Sequence, residues 1–527
     1  MNRLTLPALA LILLAGCSKA PDTQAPAAAT APSTEIAWVR PTAVADVDRA
    51  FEQAKAASKP VFLFWTAAWC PPCNQVKSTI FTRPEFIAKS RSFIPVYVDG
   101  DTPSGQALGK RFSVSGYPTM VLLRPDGTEI TRLAGSVEPA KYMQVLDHGI
   151  AGGSSAREAL AAALDGKPVS AENWRLLAFY AWETDEQQMI PKPEVPATLI
   201  RLAQTCPSDQ REAASRLTLQ AIAASATAKG EVKPAADKAD ALASVRSILA
   251  RPELARENYD LIAGYAADIV GYTTAPKSRE REELLAAWTA ALDRLVTDPT
   301  LSNGGRIAAL SGKVDLARLD NKSGPLPAAL VAQVRAEVAR ADRETTDLNE
   351  RQSVITGAGA VLADAGLLDE SDALLSIELE RSHSPYYYML GLASNARKRG
   401  TPDSKVAAIE WARQAYETSK GPATRLQWGG AYVNYLLELA PADAARIEAA
   451  AGSVVAEAAA NPDAYSARSR SSLERLSKRL QKWNKDGKHD ATLARLQEKM
   501  TAGCTSESLS PADRSECEAL FAPAKGA

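Results

Sequence analysis

The stretch FWTAAWCPPCNQVK, residues 64–77, places two cysteines two residues apart, directly behind an apolar run. That run, KPVFLFWTA at 59–67, has the length of a strand covered on both faces. Pro71 and Pro72 suit the first turn of a helix, where a missing N–H costs no helical hydrogen bond. The pattern therefore predicts a strand that leads into a helix, with Cys70 at the helix start and Cys73 one turn further in.

Two closely spaced cysteines can form a redox couple, a metal site or a structural staple. A structural zinc site needs two more ligands at suitable spacing, typically a second CxxC or an HxxxH. The chain has neither, and its three histidines lie far apart in the sequence. We therefore expect an exposed redox couple at a helix start, with no metal and no other cofactor.

The sequence around the pair alternates between helix and strand patterns. Residues 42–58 carry apolar residues at helical spacing, and residues 92–101 (SFIPVYVDGD) read as a second strand. Residues 102–114 favour a helix, and residues 118–135 favour a hairpin that turns at Pro-Asp-Gly. An amphipathic pattern over 138–150 ends the series. The predicted order is helix, strand, CxxC helix, strand, helix, hairpin, helix.

This order and two motifs resemble the thioredoxin family. WCPPC at 69–73 matches the family's Trp-Cys-x-x-Cys, and SGYPT at 115–119 stands where the family carries its cis-proline. IAWVRP at 36–41 and TIFTRPEFI at 79–87 resemble an exported subfamily that includes the C-terminal domain of DsbD-type reductant conduits. The resemblance implies a thioredoxin fold for residues 36–150.

The same resemblance implies a role for each motif residue. Protein thiols and disulfides would be the substrates, and an unidentified redox partner would restore the pair. The implied site consists of Cys70 as attacking residue, Cys73 as resolving residue in a redox-active disulfide, and Trp69, Tyr117 and cis Pro118 as substrate contacts. A reductase or interchange role is favoured, and an oxidant or isomerase is the alternative.

One position departs from the family pattern. Thioredoxins commonly bury a carboxylate below the CxxC pair, and six residues before Cys70 this chain has Phe64. Leu63 and Trp65 are also apolar. The group that takes the proton of Cys73 is left open between water and a polar neighbour such as Thr66.

The first 35 residues carry export signals. A short apolar core over residues 1–16 reads as a signal peptide, and LAGC at 14–17 resembles the lipobox of bacterial lipoproteins. That resemblance implies a lipid on Cys17, followed by a flexible tether over 17–35. A chance cysteine after an ordinary signal peptide is the alternative. We expect a periplasmic, lipid-anchored protein, with Ser18 favouring the outer over the inner membrane.

The remaining three cysteines lie in two different parts of the sequence. Cys504 and Cys517 lie close together near the end of the sequence, and in an exported chain a structural disulfide between them is the simplest expectation. Cys206 is left over and is expected to be a free, partly buried thiol, with a role in redox chemistry as the alternative.

Beyond residue 155 the sequence is rich in Ala, Leu and Arg with helical periodicity, which predicts an all-α domain over 156–350. Between 352 and 461 three helix-turn-helix units recur at roughly the tetratricopeptide period. We expect residues 351–527 to form a tetratricopeptide-like solenoid that either docks proteins or acts as a spacer. The fold class is thus an α/β thioredoxin fold followed by a large all-α helical-repeat region.

Two stretches of the helical region invite a functional interpretation. In SPYYYML, Tyr386 to Tyr388 point in three directions on a helix, so at least one belongs to the core, and ligand binding is the alternative. The basic run at 468–489 is expected to be a solvated final helix.

The formal net charge of −1, from 61 basic and 62 acidic residues, gives no sign of a nucleic-acid surface. A rival function for the whole chain is a protein-binding scaffold in which the thioredoxin module senses redox state.

Overall fold

A four-stranded mixed sheet carries the CxxC segment. The computed structural model describes residues 35–114, 116–134, 139–183, 189–465, 467–505, 509 and 511–521. The strand order is β2-β1-β3-β4. The central strand β1 (Val61–Thr66) runs parallel to β2 (Ile94–Asp99) and antiparallel to β3 (Thr119–Leu123), which pairs antiparallel with β4 (Glu129–Ala134).

Strand β1 is buried along its whole length, as its continuous apolar pattern predicts. Alternate residues of a strand point to opposite faces. Phe62 and Phe64 therefore join the core on one face of the sheet, and Leu63 and Trp65 join a second core on the other. Helices cover both faces.

Five helices belong to this part of the chain and confirm the predicted thioredoxin order, with one additional short helix after the CxxC helix. They are α1 (Val44–Ala57), α2 (Pro71–Thr79), α3 (Pro84–Lys89), α4 (Pro103–Arg111) and α5 (Pro139–Ile150).

Beyond α5 the described residues form a long all-helical region, as predicted. Its α-helices are α6 (Ala156–Leu164), α7 (Ala171–Phe179), α8 (Val195–Thr205), α9 (Arg211–Ala226), α10 (Lys238–Leu249), α11 (Pro252–Glu257), α12 (Tyr259–Gly264), α13 (Ala266–Thr273), α14 (Arg279–Thr297), α15 (Asn303–Leu319), α16 (Ala328–Glu344), α17 (Leu348–Asp364), α18 (Leu368–Arg381), α19 (Tyr386–Arg399), α20 (Pro402–Thr418), α21 (Pro422–Leu439), α22 (Ala444–Ala459), α23 (Ala467–Trp483), α24 (Asp490–Cys504) and α25 (Pro511–Ala519).

The three sequence units between 352 and 461 correspond to the consecutive pairs α17–α18, α19–α20 and α21–α22, and each helix packs on the next. The tetratricopeptide assignment and the domain boundaries stay predictions.

The helical region packs onto the side of the thioredoxin domain that carries the CxxC pair. Helix α17 packs against the CxxC helix α2, and α23 packs against α4. The expectation of a solvated final helix at 468–489 is wrong. Leu473, Leu476 and Leu480 of α23 are buried, because its apolar stripe lies against α21, and two more helices follow it.

No helix among the described residues is long and apolar enough to cross a membrane. The predicted signal peptide, Cys17 and the tether up to residue 34 lie outside the described residues.

Candidate functional site

The two cysteines of the CxxC segment form a disulfide at the start of α2. Cys70 is the N-cap residue of the helix, and its Sγ accepts a hydrogen bond from the N–H of Cys73 at 3.2 Å. Pro71 opens the helix, as the sequence predicts. Because unpaired N–H groups and the helix dipole favour negative charge at this end, the position is suited to a Cys70 thiolate when the pair is reduced.

Pro118 follows a cis peptide bond after Tyr117, the geometry that the resemblance implied. The next residue, Thr119, begins β3 and pairs with Trp65 of β1, so the loop is tied to the strand that leads into the CxxC segment. The Tyr117 hydroxyl accepts a hydrogen bond from Gln106 Nε2 at 3.2 Å. Burial raises the pKa of Tyr117 well above its usual value, and the nearby Asp101 carboxylate adds to the shift, so the phenol remains protonated.

Trp69 is fixed by a carboxylate that the sequence interpretation did not single out. Its indole Nε1 donates to Asp101 Oδ2 at 2.6 Å, just past the end of β2. The hydroxyl of Thr424, on α21 of the helical region, donates to the same oxygen. Burial raises the pKa of Asp101, while the hydrogen bonds from Thr424 and Trp69 act in the opposite direction. One carboxylate therefore binds both the CxxC segment and the helical region.

Three further side chains of the helical region cover Trp69. Tyr387 stacks on its indole with ring centroids 6.3 Å apart, and Trp428 lies at 5.6 Å. The guanidinium of Arg468 lies 5.0 Å from the centroid of the Trp69 ring and 4.7 Å from that of Tyr117. Such distances permit cation–π attraction to both rings.

The disulfide itself is enclosed. Cys70 is 2 % exposed and Cys73 is completely buried, while Trp69 is 5 % exposed. The expectation of an exposed redox couple is therefore wrong for this arrangement of the chain. The reason is tertiary: helices from the distant helical region occupy the face on which Trp69 and Tyr117 would otherwise meet solvent.

The protein interior below the disulfide is aromatic at the position where the family usually keeps its carboxylate. Phe64 is completely buried, with its ring centroid 4.7 Å from that of Phe81 and 5.5 Å from that of Tyr97. Lys77, one helical turn beyond Cys73, is partly buried, and this burial lowers its pKa to about 8 against the opposing attraction of Asp99. Thr66, the polar neighbour considered above for the proton of Cys73, is completely buried at the end of β1.

The other cysteines lie away from this site. A disulfide joins Cys504 of α24 to Cys517 of α25. Cys206 is a buried free thiol, and burial raises its pKa to about 11, which makes it a poor nucleophile at neutral pH. Among the described residues, no group of three or more His, Cys, Asp or Glu side chains could hold a metal ion.

The sequence interpretation found the cysteines, Trp69, Tyr117 and Pro118 but missed the residues that enclose them. Asp101, Thr424 and Trp428 belong to no motif, and Arg468 begins the basic run that was expected to be solvated. Tyr387 lies in the tyrosine triplet and stacks on Trp69, so this member of the triplet belongs to the site and not only to the hydrophobic core. Tyr386 and Tyr388 are buried, as a helical triplet predicts for at least one member.

Comparisons with known proteins agree with the fold of the first domain. A family model described as a thioredoxin-like domain matches residues 47–150. The thiol:disulfide interchange protein DsbD 1 of Pseudomonas aeruginosa is 30 % identical over 117 residues, 21 % of this chain and 19 % of its own. The DsbD protein of Pseudomonas fluorescens is 30 % identical over 104 residues, 19 % of this chain and 18 % of its own.

A shorter relative covers the same region. Thioredoxin H5 of Arabidopsis thaliana is 28 % identical over 99 residues, which are 19 % of this chain and 78 % of that protein. This chain spans about a fifth of the length of the DsbD proteins it matches. Residues 47–150 of this chain are a thioredoxin-like domain that carries a CxxC disulfide at the start of its second helix.

Proposed function

We propose that this chain is a thiol–disulfide oxidoreductase that exchanges its Cys70–Cys73 disulfide with cysteines of other proteins. The observation that carries the proposal is the CxxC disulfide at the N-terminus of α2, in a domain similar to thiol:disulfide interchange proteins.

The reaction proceeds through two sulfur exchanges. In the reducing direction the Cys70 thiolate attacks a substrate disulfide, which forms a mixed disulfide and releases one substrate thiolate. The Cys73 thiolate then attacks Cys70 Sγ, which restores the intramolecular disulfide and releases the second substrate thiol. Two electrons pass to the substrate, and a partner dithiol must return them. Trp69, Tyr117 and Pro118 are the proposed substrate contacts.

The direction of transfer is part of the proposal. Similarity to the interchange proteins favours a reductase or interchange role over an oxidant or isomerase. The reduction potential of the Cys70–Cys73 pair distinguishes these roles: a value near about −270 mV fits a reductant and a value near about −120 mV an oxidant.

We further propose that the chain acts in the periplasm from a lipid anchor, preferably in the outer membrane. The lipobox-like tetrad that ends at Cys17 supports this proposal. Labelling cells with a fatty-acid analogue tests it. We expect label on the wild-type chain and none on the Cys17→Ala variant, and equal labelling would contradict the anchor.

Reduction of insulin by dithiothreitol, with the purified chain as catalyst, tests the proposed activity. We expect catalysis by the wild-type chain, the dithiothreitol background with Cys70→Ser, and unchanged catalysis with the control Cys206→Ser, since that thiol is buried elsewhere. Catalysis no faster than that of Cys70→Ser, in a folded sample whose active-site face is open to protein substrates, would refute the oxidoreductase. It would favour the scaffold, in which the thioredoxin-like domain serves assembly or redox sensing.

A further inference from the structure

Five side chains of the helical region meet the active-site face of the thioredoxin-like domain. We call them the cover: Tyr387, Thr424, Trp428, Arg468 and Ser469. The first four contact Trp69, Tyr117 or Asp101, as described above. Ser469, completely buried, donates to Gln106 Oε1 at 3.0 Å, and Gln106 in turn donates to the Tyr117 hydroxyl.

We propose that the cover is an autoinhibitory lid, and that a protein substrate reaches Cys70 only when the cover separates from the thioredoxin-like domain. This inference rests on the proposed function, because only a disulfide that exchanges with other proteins requires such control. It assigns the helical region a role beyond that of spacer.

The cover restricts access to the active-site face. Exchange requires a sulfur of the partner to approach a sulfur of the disulfide, yet Cys70 is 2 % exposed. A substrate strand would also need the backbone of Tyr117, whose ring lies under the Arg468 guanidinium at 4.7 Å. The cover therefore lies on Trp69, next to Cys70, and on Tyr117, two of the residues that a protein substrate would contact.

The contact between the cover and the thioredoxin-like domain is specific. The cover does more than pack apolar surface, because the Asp101 carboxylate binds the Trp69 indole N–H and the Thr424 hydroxyl through the same oxygen. Arg468 places a cation over the aromatic rings of Trp69 and Tyr117. Hydrogen bonds to a charged group are stronger than those between neutral groups. Asp101 therefore joins the cover to Trp69, and we call the two hydrogen bonds that it accepts from Trp69 and Thr424 the latch contacts.

The contact between the cover and the thioredoxin-like domain can also be released. Three buried polar atoms at this interface lack a hydrogen-bond partner within the described part of the chain: Asp101 Oδ1, Trp428 Nε1 and Arg468 Nε. Buried polar groups without partners are unfavourable, and water satisfies them when the surfaces part. Opening therefore recovers part of the free energy lost with the latch contacts.

The rate at which reduced thioredoxin, a protein-sized dithiol, reduces the Cys70–Cys73 disulfide of the purified full chain tests the lid. Thr424→Val keeps the shape of the side chain and removes the donor to Asp101. Arg468→Met keeps most of the volume and removes the cation. Arg479→Met is the matched control, since Arg479 is an exposed arginine of the same helix. The buried Cys504–Cys517 disulfide reports general unfolding in every sample.

We expect Thr424→Val to be reduced about tenfold faster than the wild type, which is the size expected for losing one hydrogen bond to a charged group. For Arg468→Met we expect an increase of about fivefold, from the loss of the cation–π contacts to Trp69 and Tyr117. Arg479→Met and the reference disulfide should show wild-type rates. Equal rates in all four chains would overturn the lid. Slower reduction of the cover variants would also overturn it and would identify the cover as a docking surface for the protein dithiol.

The lid and the proposed function can fail separately. The reduction rate reports access to the disulfide whether or not the chain reduces insulin. If Thr424→Val does not fold, Arg468→Met, whose side chain is only partly buried, still decides the question.

Discussion

A single methyl group at Gly421 should open the interface over the active site. Gly421 precedes α21 with φ of 88° and ψ of 139°. A Cβ added there would lie 2.6 Å from Asp101 Cβ and 2.9 Å from Asp101 Cγ. Carbon atoms do not approach so closely, so Gly421→Ala must displace either α21 or the Asp101 loop.

Gly400 provides the matched control. It ends α19 with φ of 73°, and a Cβ added there would meet no atom within 4 Å. A positive φ costs either alanine variant about 1–2 kcal/mol. At position 421 alone, overpacking adds about 1–3 kcal/mol of destabilisation. The ψ value of Gly421, which glycine tolerates best, adds further backbone strain in the alanine variant.

An excess of about 2 kcal/mol at the interface corresponds to an opening equilibrium shifted about 30-fold. We therefore expect dithiothreitol to reduce the Cys70–Cys73 disulfide about 30-fold faster in Gly421→Ala than in Gly400→Ala under native conditions. Quenching with acid and counting alkylated thiols by mass spectrometry measures the rate. Equal reduction rates in the two variants would refute the expected opening of the interface, because backbone strain alone would then account for both rates.

Three further predictions concern stability. Lys77→Met should raise the free energy of unfolding at pH 7 by about 1–2 kcal/mol, after discounting for partial exposure. Because burial lowers the pKa of Lys77 from 10.5 to about 8, the unfolded chain binds more protons between these values, so wild-type stability should rise over that pH range and the variant should lack this rise in urea unfolding. Cys504→Ser removes the disulfide to Cys517, which spans a sequence separation of 13, and should cost about 3 kcal/mol in the same assay. Glu378→Gln removes the more buried of the two carboxylates that pair with Arg351, at 2.6 Å, while Asp342 stays at 2.7 Å, and should cost about 2 kcal/mol.

Controls separate these effects from general damage. Glu370→Gln, in an exposed pair with Arg335, should cost less than about 1 kcal/mol, and a loss as large as that of Glu378→Gln would contradict the burial argument. A Lys77→Met variant that keeps the wild-type rise above pH 8 would show that the rise originates elsewhere. A Cys504→Ser variant as stable as the wild type would show that the disulfide does not constrain the unfolded chain.

Local signals predicted the thioredoxin-like domain well. The apolar run before Cys70, the prolines after it and the Pro-Asp-Gly turn each act over a few residues, and the structure contains the strand, helix and hairpin that they indicate. The cis bond at Pro118 followed from the resemblance rather than from local chemistry, since any X–Pro bond favours trans.

The enclosure of the site could not be predicted in the same way. Thr424 lies 323 residues from Asp101, and nothing in either neighbourhood indicates the other. Arg468 begins a basic run, and a run of charge is usually solvated, so its burial against Trp69 is a tertiary effect. Exposure of the redox pair was the natural expectation from residues 36–150 alone.

The distance along the chain between the two halves of the interface has a consequence for biogenesis. Ser469 follows Gln106, its hydrogen-bond partner, by 363 residues. Ribosomes add about 5–20 residues per second, and N-terminal domains generally fold first. The thioredoxin-like domain is therefore complete while α23 has yet to be made, so Ser469 and Arg468 do not yet cover its active-site face. We expect the Cys70–Cys73 disulfide to form more easily in a chain at that stage than in the complete chain.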